Sequence, residues 1–162
     1  MSELENLAAK VAEKLIARRE RIAVSESSSG GLISAALLAV PGASAYYLGG
    51  AVVYTARARA ALVGIERADV EGMRSASEPY AQLLARRTRE LLRAEWGIAE
   101  TGASGPTGNP YGDAAGHTVV AVSGPTSAVR TIETGSPDRR ANMDAFAIAA
   151  LQLLDEALGG GQ

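Results

Sequence analysis

An apolar run, "RIAVS" (21–25), passes through the small polar turn "ESSSGG" (26–31) straight into a helical run, "GGLISAALLAV" (30–40), which ends at Pro41-Gly42. A short buried strand joined so tightly to a helix constrains the fold more than any other stretch. The helix must pack back against the sheet that holds the strand.

The rest of the chain repeats this alternation. Leu4, Leu7, Ala8, Val11, Leu15 and Ile16 recur at helical spacing over about 3–19. "LGGAVVYT" (48–55) has the β-branched and aromatic character of a strand, and "TARARAALVGI" (55–65) reads as a helix until Gly64 breaks it. In "SEPYAQLLARRTRELLRAEWG" (77–97), Ser77 sits at an N-cap, Pro79 in the first turn and Gly97 at the expected end of the helix. "IAETGAS" (98–104) enters a loop, "GPTGNPYGDAAG" (105–116), whose glycines and prolines exclude a regular element. "HTVVAVSG" (117–124) and "AVRTIETG" (128–135) alternate as hairpin-linked strands, residues 138–158 return to helix, and "GGGQ" (159–162) reads as a frayed, flexible tail. The pattern predicts an α/β fold: a three-layer α/β/α sandwich around a mixed, mainly parallel central sheet.

At 162 residues and 47% hydrophobic, the chain can bury the core of one domain, over 1–158, and is too short for two. Sixteen basic and 18 acidic residues leave a net charge of −2, which gathers no polyanion, so no nucleic acid partner is expected. Charges run through the N-terminal periodicity, which therefore reads as neither leader nor membrane span, and a cytoplasmic protein without a membrane partner is expected. With no cysteine and one histidine, His117, thiolate nucleophiles and cysteine-rich or two-histidine metal sites are excluded. Chemistry falls to Ser, Tyr, Lys, Arg, Asp or Glu. His117 has no catalytic companion in the sequence and reads as a packing or surface residue.

In sheets of this kind ligands gather outside the strand carboxyl ends, so loops 26–30, 41–45, 55–59 and 104–115 are expected to share a pocket. The turn 27–31 can hold an anion, because free helix N–H groups meet the hydroxyls of Ser27, Ser28 and Ser29 while Gly30 and Gly31 permit close approach. It reads equally as one capping serine with two turn glycines. The glycine loop reads either as a backbone cradle or as a surface loop.

Four motifs, in order, resemble the CinA C-terminal domain family of nicotinamide-nucleotide amidohydrolases. The family's "TAESCTGG" is here "AVSESSSGG", its "PGSSAWFEGGFVTYSNEAK" is "PGASAYYLGGAVVYTARAR", its "VSEP" is "ASEP", and its "GIAGPDGG...KPVG" is "GASGPTGNPYGDAAG". The resemblance covers nearly the whole chain. It implies hydrolysis of the carboxamide of nicotinamide mononucleotide (NMN) to nicotinic acid mononucleotide and ammonia, in pyridine nucleotide salvage. No metal or other cofactor is implied, the partner is a small nucleotide substrate, and the chain is expected to be a homo-oligomer.

Carried over position by position, Ser44 matches the proposed nucleophile and Tyr54 the tyrosine of "TYSN". The serine-glycine turn and Gly105 match ligand-binding elements, with the phosphate expected near 27–31, and Arg139 of "PDR" matches the family's "GDR". The departures fall on chemistry. The family's candidate base, the lysine of "SNEAK", is Arg59, which stays protonated and accepts no proton; here its expected role is to orient or to stabilise charge. Two further expectations follow: a catalytically degenerate nucleotide-binding or regulatory protein, and a hydrolase of shifted substrate in which Asp113, standing where the family has lysine, selects against negative charge.

Overall fold

The computed structural model describes residues 1–159 and forms the expected three layers. Helix α1 (Glu3–Arg18) leads into strand β1 (Ile22–Glu26) and helix α2 (Leu32–Leu38). After a 3-10 turn at Ala43–Ala45 come β2 (Tyr47–Val52) and α3 (Ala56–Val63), then a second 3-10 turn at Arg67–Val70 and α4 (Glu78–Leu92). Strands β3 (Trp96–Ala103), β4 (His117–Ser123) and β5 (Ala128–Glu133) precede the final helix α5 (Arg139–Leu158).

The sheet order is β2-β1-β3-β4-β5. Strand β1 pairs in parallel with β2 and β3, whereas β4 is antiparallel to both β3 and β5. Four strands therefore run one way, and their carboxyl ends lie together at Glu26, Val52, Ala103 and Glu133. Alternate side chains of the central strands feed two cores. Ile22, Val24, Trp96, Ile98, Val120 and Val122 pack under α1, α2 and α5. Ala99, Val119 and Ala121 pack under α4 with Val63 of α3.

Three local expectations are corrected. Gly97 does not end α4, which stops at Arg93 in the left-handed conformation (φ 54°). Gly97 lies within β3, where a Cβ would stand 2.2 Å from the Ala85 carbonyl oxygen of α4, so the glycine serves the close approach of helix to sheet. "IAETGAS" is almost wholly strand, the central one of the sheet. Its polar letters hid it, because Glu100 is fully buried at a strand position. Gly159 is no free tail residue: its carbonyl accepts from Lys14 Nζ at 2.6 Å, and residues 160–162 lie outside the described residues.

No described helix is long and apolar enough to cross a membrane.

Candidate functional site

The turn after β1 is built around two buried carboxylates. Glu26 Oε1 accepts from the Ser29 hydroxyl (2.7 Å) and from the amides of Gly31 (3.1 Å) and Ile33 (3.0 Å), and its Oε2 accepts from the amide of Ser34 (2.8 Å). Glu100 Oε1 accepts from the amides of Ser27 (3.1 Å) and Ser29 (2.8 Å). Its Oε2 accepts from the hydroxyls of Ser28 and of Thr118 (2.8 Å). Neither carboxylate forms an ion pair among the described residues, so these hydrogen bonds compensate both charges.

This alters the expected phosphate cradle at 27–31. Helix α2 has seven residues and its first amides are occupied by the protein's own Glu26. Ser29 is wholly buried, with its hydroxyl on Glu26. Ser28 and Ser27 remain at the edge of the cavities described below; Gly30 and Gly31 adopt left-handed backbone (φ 65° and 101°) and shape the turn.

A cavity of about 250 Å³ opens at the strand carboxyl ends between Ser28, Tyr54, the segment 102–105 and Arg139. Arg139, the first residue of α5, spans its mouth: Nη2 donates to the Tyr54 hydroxyl at 3.3 Å and Nη1 to the Gly105 carbonyl. Asp138 caps the helix beneath it, accepting from the Ala141 amide at 3.1 Å. Gly105 is required here, since its φ is 106° and a Cβ would meet the Pro137 carbonyl oxygen at 2.9 Å.

The wall shared by Tyr54, Gly102 and Asn109 continues into a second cavity of about 430 Å³ that includes Ser27, Arg59 and Tyr80. Arg59 lies 5.9 Å from the Tyr80 ring centroid, and its Nε donates to the Ile65 carbonyl at 3.4 Å. A guanidinium held in this way is a fixed positive charge beside the cavity.

The glycine loop is organised by Asn109 and Asp113. Asn109 Oδ1 accepts from the amides of Tyr111 (3.0 Å) and Asp113 (3.1 Å), and its Nδ2 donates to Asp113 Oδ2 at 2.8 Å. Arg74 donates to the same oxygen at 3.0 Å. Asp113 is thus a clasp, which removes the ground for expecting it to select against substrate charge. Its burial disfavours ionisation, but the hydrogen bonds from Asn109 and Arg74 and the nearby His117 outweigh that and hold its carboxyl below the ordinary range.

His117 is buried rather than loose on the surface. Its Nδ1 lies 2.6 Å from Glu133 Oε2, its Nε2 lies 2.8 Å from the Ala76 carbonyl oxygen, and Asp113 Oδ2 is 3.6 Å away. Burial opposes its protonation, but the hydrogen bonds to Glu133 and Ala76 and the two carboxylate charges raise its pKa above the ordinary 6.5.

Ser44 is not brought to this site within one chain, and loop 41–45 does not join the other three. Tyr47 pairs with Ile22 at the start of β1, whereas Val52 pairs with Glu26 at its end. Ser44 therefore stands exposed at the amino edge of the sheet. Between it and Tyr54 runs all of β2, a separation of roughly 20 Å or more at about 3.3 Å per residue. The reason is topological: α2 carries the chain back from the carboxyl edge so that β2 can run parallel to β1. A parallel reading of the two strands predicts as much.

The sequence reading missed Glu26, Glu100 and Asn142. Asn142 is buried, donating to the carbonyls of Ser104 (2.9 Å) and Ser136 (2.8 Å) and accepting from Thr134 (2.6 Å), which ties the cavity loop to α5.

The sequence matches the CinA C-terminal domain over residues 4–158. It is 39% identical over 156 residues to a CinA-like protein of Anaeromyxobacter sp. (strain Fw109-5), covering 95% of this chain and 38% of that protein. It is 30% identical over 152 residues to one from Gloeothece citriformis (strain PCC 7424), covering 94% and 36%. The chain thus spans less than two-fifths of the length of these curated relatives. Among solved structures, the competence damage-inducible protein A of Klebsiella pneumoniae subsp. pneumoniae MGH 78578 superposes with a TM-score of 0.91 at 27% identity, covering 99% of this chain and 100% of that one. The competence/damage inducible protein CihA of Agrobacterium tumefaciens gives 0.90 at 25% identity, covering 99% and 98%. Matched over residues 4–158 and 39% identical over 95% of its length to a CinA-like protein, the chain belongs to the CinA C-terminal domain family.

Proposed function

We propose that the protein is a nicotinamide-nucleotide amidohydrolase that converts NMN and water to nicotinic acid mononucleotide and ammonia. The observation that carries the reading is the joined pair of cavities between Tyr54, Arg139 and Arg59, whose volumes of about 250 and 430 Å³ suit a mononucleotide. The phosphate lies against Arg139, which offers a guanidinium at the cavity mouth, with Ser28 and Gly105 beside it. This revises the expectation of a phosphate on the α2 amides, which Glu26 occupies.

The nicotinamide end then extends toward Tyr54 and Arg59. A hydrolysis step adds a nucleophile to the carboxamide carbon and places negative charge on its oxygen, and Arg59 is a fixed cation available to that oxygen. Tyr54 orients the group through its hydroxyl. The nucleophile assigned by motif, Ser44, lies at the other edge of the sheet within one copy, so it reaches the carbonyl carbon only from a second copy of the chain; its proton then passes to the departing amide nitrogen, an acyl ester forms with release of ammonia, and water cleaves the ester.

A second reading, a regulatory protein that binds the nucleotide without hydrolysing it, is favoured by the arginine at position 59 and by the distance of Ser44 from the cavities. Ammonia release from NMN, measured beside calorimetric NMN binding, separates the two. Turnover that falls in Arg139→Ala supports the amidohydrolase, binding without turnover supports the regulator, and the absence of both rejects each.

A further inference from the structure

Aromatic side chains are scarce in this chain: one Trp, one Phe and five Tyr. Three of the tyrosines, Tyr54, Tyr80 and Tyr111, nonetheless line the cavity of about 430 Å³ that receives the nicotinamide end in the reading above. Four residues of that cavity, Arg59, Ser75, Tyr80 and Tyr111, also line an outer cavity of about 810 Å³, so they form the wall between the two. Three rings around one opening suit a ligand with a flat ring of its own.

The three tyrosines are not equivalent. Tyr80 is buried, and the Arg59 guanidinium lies 5.9 Å from its ring centroid, so that ring already has its cation. Tyr54 is held by Arg139 through its hydroxyl. Tyr111 is 51% exposed, and among the described residues no cation lies over its ring. Its backbone is nevertheless fixed. The Tyr111 amide donates to Asn109 Oδ1 at 3.0 Å, the Asn109 amide donates to the Asp113 carbonyl at 3.1 Å, and Arg74 donates to the Asp113 carboxylate at 3.0 Å. A ring carried on a held turn is ordered before the ligand arrives, so its stacking costs little entropy.

Charge decides which kind of ring fits. The described side chains that line the inner cavity include Arg59 and no carboxylate. A positively charged ring finds no counter-ion there, and what this wall offers it is the negative face of an aromatic side chain. The nicotinamide ring of NMN is such a cation, because its ring nitrogen also carries the bond to the ribose. Tyr111 lies in the "PYG" stretch (110–112), between the parts of the glycine loop that resemble "GIAGPDGG" and "KPVG", so the motifs assign it no role.

We propose that Tyr111 is a specificity-determining residue whose ring stacks on the cationic pyridinium of the nucleotide and favours it over an uncharged ring. The proposal rests on the amidohydrolase reading, which places NMN in these cavities.

Calorimetry of the full chain with NMN and with reduced NMN tests it. The dihydropyridine ring of the reduced form has nearly the same shape and area but no charge. Tyr111→Ala should weaken NMN binding about 3- to 30-fold, the range of one cation–π contact from an exposed to a desolvated site. The same variant should change the affinity for reduced NMN by less than about twofold, because only the charge-dependent part of the contact is absent there. Tyr111→Phe keeps the ring face and should bind NMN as wild type does. Tyr111 belongs to neither core, so both variants should keep the wild-type Tm. An equal loss for the two nucleotides would reduce the contact to buried area and overturn the proposal. A loss in Tyr111→Phe as large as in Tyr111→Ala, or no loss in either, would overturn it as well. Wild type that binds no NMN overturns the amidohydrolase reading and this proposal together, whereas NMN binding that is indifferent to Tyr111 overturns this proposal alone.

Discussion

Arg139 Nη2 donates to the Tyr54 hydroxyl at 3.3 Å, joining the start of α5 to the end of β2 across 85 positions of sequence. The contact leaves the guanidinium at the cavity mouth, with Nη1 on the Gly105 carbonyl, Nη2 on the Tyr54 hydroxyl and its remaining N–H groups facing the cavity that an anion would enter.

If that anion is the nucleotide phosphate, Arg139→Ala removes a charge-assisted contact of about 1.5–3 kcal/mol and weakens NMN binding about 10- to 100-fold. Nicotinamide riboside, which lacks the phosphate, should bind wild type and variant alike. Calorimetry with both ligands checks this, and an equal loss for the two would assign Arg139 a purely structural role.

The Glu26 carboxylate holds four donors of the β1–α2 turn and is 1% exposed. Glu26→Ala leaves those donors unmatched, those of Ser29 and Ile33 buried and those of Gly31 and Ser34 half-buried, which should cost about 3 kcal/mol and lower Tm by about 6–12 °C. The variant should regain part of that stability in phosphate buffer relative to chloride, because an external anion can take the place of the carboxylate. Wild type should show no such difference. A phosphate effect as large in wild type would mean that the turn amides are open after all.

The order and type of nearly every element were legible because amphipathic periodicity and turn chemistry are local. The failures were of two kinds. Gly97 and the strand around Glu100 were misjudged because close helix-sheet approach and a buried, hydrogen-bonded charge are tertiary facts, and tertiary context overrides what a glycine or glutamate signals alone. The motif residues Tyr54, Arg59 and Arg139 do meet around one pair of cavities, whereas Ser44, assigned by the motif resemblance, lies at the amino edge of the sheet. Ten residues are a short step along the chain, but a strand converts that step into the whole depth of the sheet.

Arg59 stands beside the cavity as a permanent cation, so a lysine at this position changes what the site can titrate. Arg59→Lys should raise ammonia release most at alkaline pH, by up to about 10²-fold if general-base assistance is the missing element. The same variant loses the Nε bond to the Ile65 carbonyl, so its Tm should fall slightly. A pH–rate profile of both proteins checks the first point. A flat or lowered profile would show that the arginine is not what limits turnover.

His117 supplies the pH dependence of the loop. When protonated it donates from Nδ1 to Glu133 and from Nε2 to the Ala76 carbonyl, with Asp113 close by and itself bound to Arg74 and Asn109. Its pKa is raised in the fold, so its contribution to stability is complete below the ordinary value of 6.5 and disappears as pH climbs through the higher folded value. Asp113 is shifted the other way: its contribution holds above the ordinary 3.8 and is lost only as pH falls through its lower folded value. The clasp is therefore tightest between about pH 4 and 6.5. As the sole histidine, His117 gives an unambiguous imidazole resonance, whose NMR titration should have its midpoint above 6.5. The Tm difference between wild type and His117→Gln should be larger at pH 5.5 than at pH 8.5. A midpoint below 6.5, or a difference independent of pH, would mean that the imidazole sits neutral and that packing alone holds the loop.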